Sequence, residues 1–174
     1  TSRGLGDVYK RQIDLSANRD GFIADLSPAG RPGAMLVGSS PEVLVKRQGS
    51  TVSAFPLAGS SPRRALAAED HLAGQDLLHS SKDLHEHAFV VDHLRRALTP
   101  LCERLDIPDV PQLISTNEMW HLGTPISGTL KDKDLTALEL ALAVHPTPAI
   151  CGTPAEAAQA LIAVSYTHLR AHET

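Results

Sequence analysis

Apolar and polar residues alternate in short runs through the first third of the chain, and then the period changes. "GFIADLS", "AMLVGSS", "EVLVKR" and "TVSAFPLAG" are apolar runs of strand length, separated by the turn-forming stretches "PAGRPG", Ser-Pro and "QGS". Antiparallel strands joined by hairpins have this pattern, and it predicts a meander from Gly21 to Gly59. Beyond it, Asp70 to Leu78 and Ser81 to Leu105 follow the helical template, "PDVPQLIS" reads as extended, and Leu135 to Val144 and Pro154 to Ala163 are helical again. Strands followed by helices, without strict alternation, predict an α+β fold in which an antiparallel sheet is packed with helices.

The stretch "HSSKDLHEHAFVVDHLRRAL", residues 79 to 98, carries an anomaly. Turning ~100° per residue puts Asp83, Glu86, His87, Val90, Leu94, Ala97, Leu98 and Leu101 on one face, and Lys82, His85, Asp92, Arg95 and Arg96 on the other. Two carboxylates thus head an otherwise apolar stripe. Ser80 with Asp83 makes a capping box, and acidic groups in a first turn suit the helix dipole, which accounts for Asp83. Glu86 lies beyond the capping positions. An inward carboxylate has to be paired, protonated or bound to a cation, so a metal or substrate role and a buried ion pair both stand open for Glu86.

Charge and composition narrow the classes of partner. The formal charge is −4, and the basic pairs Arg63-Arg64 and Arg95-Arg96 are isolated and lack interleaved aromatics, which argues against nucleic acid. Apolar runs stay short of bilayer-crossing length and no secretory leader pattern precedes the first strand, so no membrane partner is expected. Cys102 and Cys151 have neither metal-type spacing nor disulfide density; each reads as a small buried hydrophobe in a reducing, cytoplasmic setting. Residues 1–12, "TSRGLGDVYKRQ", and the closing stretch across 164–174 resemble translated sequencing-adapter read-through. The remainder, 13–163, is expected to be one domain or a piece of one.

Four further stretches invite chemistry while remaining open to plain structural readings. In "GSSPEVLV", Glu42 follows a proline at the mouth of a strand, where a solvated strand end is ordinary. In "PLAGSSPRR", a Gly-Ser pair leaves backbone N–H groups free, which suits an anion and equally a turn. "MWHLGTP" sets His121 beside the single tryptophan, the usual surroundings of a satisfied core histidine. "HPTPAICGTP" is a Pro-constrained loop entering a helix, and such loops either wall pockets or simply turn the chain.

Taken in order and at these separations, "GSSPEVLV", "PLAGSSPRR", "SSKDLHEHAFVV", "MWHLGTP" and "HPTPAICGTP" closely resemble the chorismate-utilising enzymes, in particular isochorismate synthases of the catechol-siderophore type. The resemblance implies an α+β sandwich of antiparallel sheets wrapped by helices and a catalytic role in Mg²⁺-dependent conversion of chorismate to isochorismate. It implies that Glu42 is the general acid that protonates the departing C4 hydroxyl while water adds at C2, a job that asks a carboxyl to carry a proton when substrate arrives. Glu86 would be a magnesium ligand and Asp83 a further acidic group near the metal, since hard Mg²⁺ prefers carboxylate oxygens and water. Gly59 and Ser60 resemble the motif that hydrogen-bonds substrate, and His121 a histidine that contacts the ligand. Ala149 with Ile150 resembles the loop of members that stop at isochorismate; Cys151 departs from the serine usual there.

The same resemblance puts a base lysine upstream of Ile13, for which Lys10 is not a substitute, and a second metal glutamate and a carboxylate-binding arginine downstream of Ala163. The fragment alone is therefore expected to be inactive. The family also leads to expect a monomer. Sister activities, as a salicylate, anthranilate or aminodeoxychorismate synthase component, and a catalytically inactive chorismate-binding module remain as alternatives.

Overall fold

The computed structural model describes residues 21–40 and 42–169, and the chain divides into two compact units, Thr1–Val43 and Leu44–Thr174. In the first unit, strand β1 (Gly21–Asp25) pairs antiparallel with β2 (Met35–Ser39), Gly21 facing Ser39 and Asp25 facing Met35. Asp25 builds the connection: its carboxylate accepts from the Ser27 N–H at 2.9 Å and from the Ser27 hydroxyl at 2.7 Å. Residues 1–12 of the expected adapter segment lie outside the described residues.

The second unit holds two antiparallel sheets. One has the order β3 (Lys46–Gln48), β4 (Thr51–Ala54), β9 (Ile126–Leu130), β6 (Cys102–Asp106); the other runs β5 (Leu57–Pro62), β8 (Met119–Gly123), β7 (Gln112–Ser115). The α+β expectation thus holds, but the meander does not. The stretch "TVSAFPLAG", read as one strand, is two: β4 and β5 enter different sheets on either side of Phe55-Pro56, because proline has no N–H to continue a ladder. The return crossing, between β8 and β9, passes through Thr124-Pro125, and the Thr124 N–H donates to the Pro56 carbonyl at 3.4 Å, tying the two crossings together.

Helices α1 (Ala67–His79), α2 (Ser81–Leu98), α3 (Ala137–Val144) and α4 (Ala155–Leu169) complete the unit. The expected helix over Ser81 to Leu105 stops at Leu98. Thr99 still has helical geometry and its N–H donates to the Arg95 carbonyl, but Pro100 lacks the N–H for the next turn; a 3-10 turn over Thr99–Leu101 follows, and Cys102–Asp106 becomes β6, paired with β9. α4 continues through Ala163 to Leu169. Among the described residues no helix is long and apolar enough to cross a membrane.

The core lies between the four-stranded sheet and helices α2 and α3. Val52, Ala54, Ile126 and Leu130 from the strands meet Val90, Leu94 and Leu98 of α2 and Leu140 and Val144 of α3, with Cys102 among them. α3 is opened by a full capping box, Thr136 with Glu139, and fastened to α2 by His93 Nε2 donating to the Val144 carbonyl at 2.8 Å. α1 is held to the other sheet by a buried carboxylate. Arg63 Nε and Nη2 reach Asp70 at 2.9 and 2.7 Å, the Arg64 N–H donates to Asp70 at 2.8 Å, and Trp120 Nε1 adds a bond at 3.1 Å. The Arg63 guanidinium lies 4.5 Å from the Trp120 ring centre, so charge and ring face attract as well. The Arg63 hydrogen bonds, followed by the Arg64 N–H, hold the Asp70 carboxyl well below the usual carboxylate range.

Candidate active site

Strand β5 divides two cavities. On one side a cleft of about 410 Å³ is walled by Leu57, Ala58 and Gly59 of β5, Glu86, Phe89 and Val90 of α2, and Pro148, Ala149, Gly152 and Thr153 of the loop before α4. On the other, a cavity of about 420 Å³ is lined by Ser60 and Ser61, by Arg64, and by Asp76, Ser80 and Asp83 at the junction of α1 and α2. The strand changes cavity along its length, with Leu57 to Gly59 on the first and Ser60 with Ser61 on the second. The cleft therefore unites Gly59, Glu86 and Ala149 from three separate segments, whereas Ser60 and Asp83 line the neighbouring cavity.

His121 is the cross-strand partner of Ser60, whose hydroxyl lies 2.8 Å from His121 Nδ1. The register between β5 and β8 shifts between Leu57 and Ser60, a bulge that places an extra residue at the cleft wall. There Gly59 takes φ of 80° and comes so close to α2 that a β-carbon would stand 3.1 Å from that of Asp83.

The two acidic residues at the head of α2 have different surroundings. Asp83 accepts the Ser80 hydroxyl, while its own N–H donates to Ser80 Oγ at 3.3 Å, so the capping interpretation is realised at this position. Glu86 is not buried behind the stripe as expected. Its side chain is 53% exposed at the cleft and pairs with Lys82 Nζ at 2.9 Å. Lys82 lies one turn earlier and only ~40° round the helix, close enough to bridge; the bond to Glu86 and the charges of Glu86 and Asp83 raise its pKa. The buried stripe begins one residue later, at His87.

His87 is 2% exposed and was legible only as a stripe position. Its Nδ1 lies 3.1 Å from the Ala58 carbonyl and its Nε2 2.7 Å from Thr124 Oγ1. Burial pulls its pKa down, and the Ala58 hydrogen bond partly opposes this. Phe89, Leu57 and Thr153 are further cleft residues that no motif singled out.

Ile150, Cys151 and Glu42 have their own surroundings. Ile150 is two-thirds exposed (67%), because the loop turns back on itself through the Ile150 and Cys151 N–H groups donating to the Thr147 carbonyl at 3.1 Å. Cys151 is half-buried, unlike the fully enclosed Cys102. Glu42 belongs to the first unit; its N–H donates to Ser40 Oγ at 3.3 Å, and it is exposed. Among the described residues there is no group of three or more His, Cys, Asp or Glu side chains that could hold a metal ion. With Glu86 on the cleft, Asp83 on the adjoining cavity and Lys82 between them, these residues alone do not make a Mg²⁺ cage.

Antiparallel sheets packed with helices, and a cleft shared by a strand bulge, a helix and a Pro-bounded loop, define an α+β domain of the chorismate-utilising type. The family profile of chorismate binding enzymes matches residues 26–171, and the chain belongs to that family. It is 50% identical over 143 residues to isochorismate synthase DhbC of Bacillus subtilis strain 168, covering 81% of this chain and 36% of that protein. It is 43% identical over 131 residues to isochorismate synthase EntC of Escherichia coli K12, covering 75% of this chain and 33% of that protein. The crystal structure of DhbC from Bacillus anthracis superposes with a TM-score of 0.69 at 50% identity, covering 72% of this chain and 34% of that one. The chain thus spans about a third of the length of these relatives.

Proposed function

We propose that the full-length protein carrying this chain is an isochorismate synthase, an isomerase acting on chorismate. Water adds at C2 and gives up a proton to a base supplied by another part of the full-length protein, the ring double bonds shift, and the C4 hydroxyl leaves as water after taking a proton from Glu42. The supporting observation is the cleft itself, which gathers Gly59, Glu86 and Ala149 although they are far apart in sequence. Its mixture of apolar wall, strand backbone and one carboxylate suits a small ring carrying anionic groups. Ser60 and His121 act as a hydrogen-bonded pair next to it, presenting substrate contacts from the second cavity.

Mg²⁺ belongs to this proposal as the cofactor that neutralises substrate carboxylate charge when bound. Glu86 would supply one ligand, Asp83 a nearby negative charge, and other parts of the full-length protein the remaining donors. The proposal further takes the enzyme to be cytoplasmic and monomeric, serving siderophore biosynthesis.

The test is product identification. Full-length protein is incubated with chorismate and Mg²⁺, with and without an ammonia source; isochorismate is expected in both arms. Salicylate would instead indicate a sister enzyme, as would anthranilate or aminodeoxychorismate formed only with ammonia. Tight chorismate binding without turnover would indicate an inactive binding module.

A further inference from the structure

Ala58 lies in the bulge of β5, between the paired positions Leu57 with Gly123 and Ser60 with His121. A side chain reaches its carbonyl there. A carbonyl can only accept, so the ring nitrogen 3.1 Å from Ala58 carries the hydrogen. In that tautomer His87 Nε2 is an acceptor, and the Thr124 hydroxyl, 2.7 Å away and 1% exposed, donates to it. Thr124 is in turn fixed by its N–H to the Pro56 carbonyl at 3.4 Å. One imidazole therefore joins α2, the bulge and the β8–β9 crossing.

We infer that His87 is a positioning residue: donating from Nδ1 to Ala58, it sets the bulge that presents Gly59 to the cleft and Ser60 to His121. It does so from beneath the wall, for His87 is not one of the residues lining the cleft. The inference goes beyond the proposed function but rests on it for its kinetic readout. Losing the bond lets the wall relax, which weakens ligand binding more than it slows the chemistry.

Asparagine places an amide nitrogen near the position of histidine Nδ1, and glutamine near that of Nε2. In the full-length protein, His87→Leu and His87→Gln are expected to raise the KM for chorismate about tenfold with kcat within about threefold, whereas His87→Asn stays near wild type. Hydrogen exchange over residues 57–61, read by mass spectrometry without substrate, is expected to accelerate in the Leu and Gln variants and to recover in Asn. Thr124→Val, which keeps the volume but removes the donor to Nε2, is expected to give an intermediate effect on both readouts and serves if the Leu variant does not fold. Variants that lose only thermal stability, with KM and exchange at 57–61 unchanged, would overturn the inference, as would rescue by Gln and not by Asn. If wild-type protein leaves chorismate untouched, the proposed function fails, and the exchange measurement decides the inference by itself.

Discussion

Replacing Gly59 by alanine puts a methyl group between strand β5 and helix α2, where the cleft wall is formed. Two costs follow from the structure. The first is conformational: Gly59 has φ of 80°, and an L-residue held in the left-handed region loses about 1–2 kcal/mol. The second is steric. The new carbon would lie 3.1 Å from Asp83 Cβ and 3.3 Å from Leu122 Cδ1, closer than ordinary contact, and Leu122 is fully buried, so it can give way only by moving within the packed core. Overpacking of this kind costs about 1–2 kcal/mol when the neighbours can shift by a few tenths of an ångström. Together these give about 2–4 kcal/mol of lost stability. Gly49 supplies the control. It has φ of 61° with nothing within 4 Å of an added carbon, so Gly49→Ala carries only the conformational cost of about 1–2 kcal/mol. Urea unfolding of both variants, followed by circular dichroism in the full-length protein, measures the difference. Chorismate KM is expected to rise for Gly59→Ala and to stay unchanged for Gly49→Ala. Equal destabilisation by the two substitutions would show that β5 does not press on α2 as described.

Other consequences can be checked separately. Asp70 is held below its ordinary pKa of 3.8 by Arg63 first and the Arg64 N–H second; its contribution to stability is therefore complete above that value and fades as pH falls towards the lowered one. Asp70→Asn should be less stable than wild type at neutral pH, with the gap closing in acid unfolding titrations; a constant gap would refute the assignment. Lys82 competes with any cation for Glu86, so Lys82→Gln should shift the Mg²⁺ dependence of turnover to about threefold lower concentration, in line with the strength of an exposed ion pair. An unchanged Mg²⁺ titration would mean that the pair does not restrain Glu86. Leu94 is 1% exposed in the α2 core, and Leu94→Ala should cost about 3–4 kcal/mol in denaturant unfolding; a loss below about 1 kcal/mol would show that this core collapses around the gap.

Much of the architecture is written in local pattern. The helical period marks the starts of α1, α2 and α3 to within a few residues, and Ser80 with Asp83 announces the start of α2, because capping and amphipathic spacing involve neighbours three or four residues apart. The ordered motifs likewise carried the family resemblance, which the family match over residues 26–171 bears out. Pattern alone misjudged Leu101 and Leu105, which suit the apolar period of a continuing helix; Pro100 and the pairing of β6 with β9 settle that segment as a strand. It also could not say that "TVSAFPLAG" is shared between two sheets, since strand pairing depends on residues such as Ser127 and His121, more than sixty positions away for the bonded pair Ser60 and His121. The same limit applies at the cleft. Helical spacing turned Glu86 towards the core, but the nearby ammonium of Lys82 and the open cleft keep it half exposed; His87, next in line, is the residue that goes inside. Only the folded chain puts the bulged Ala58 carbonyl opposite that imidazole, because strand register and tertiary packing decide which groups come within reach.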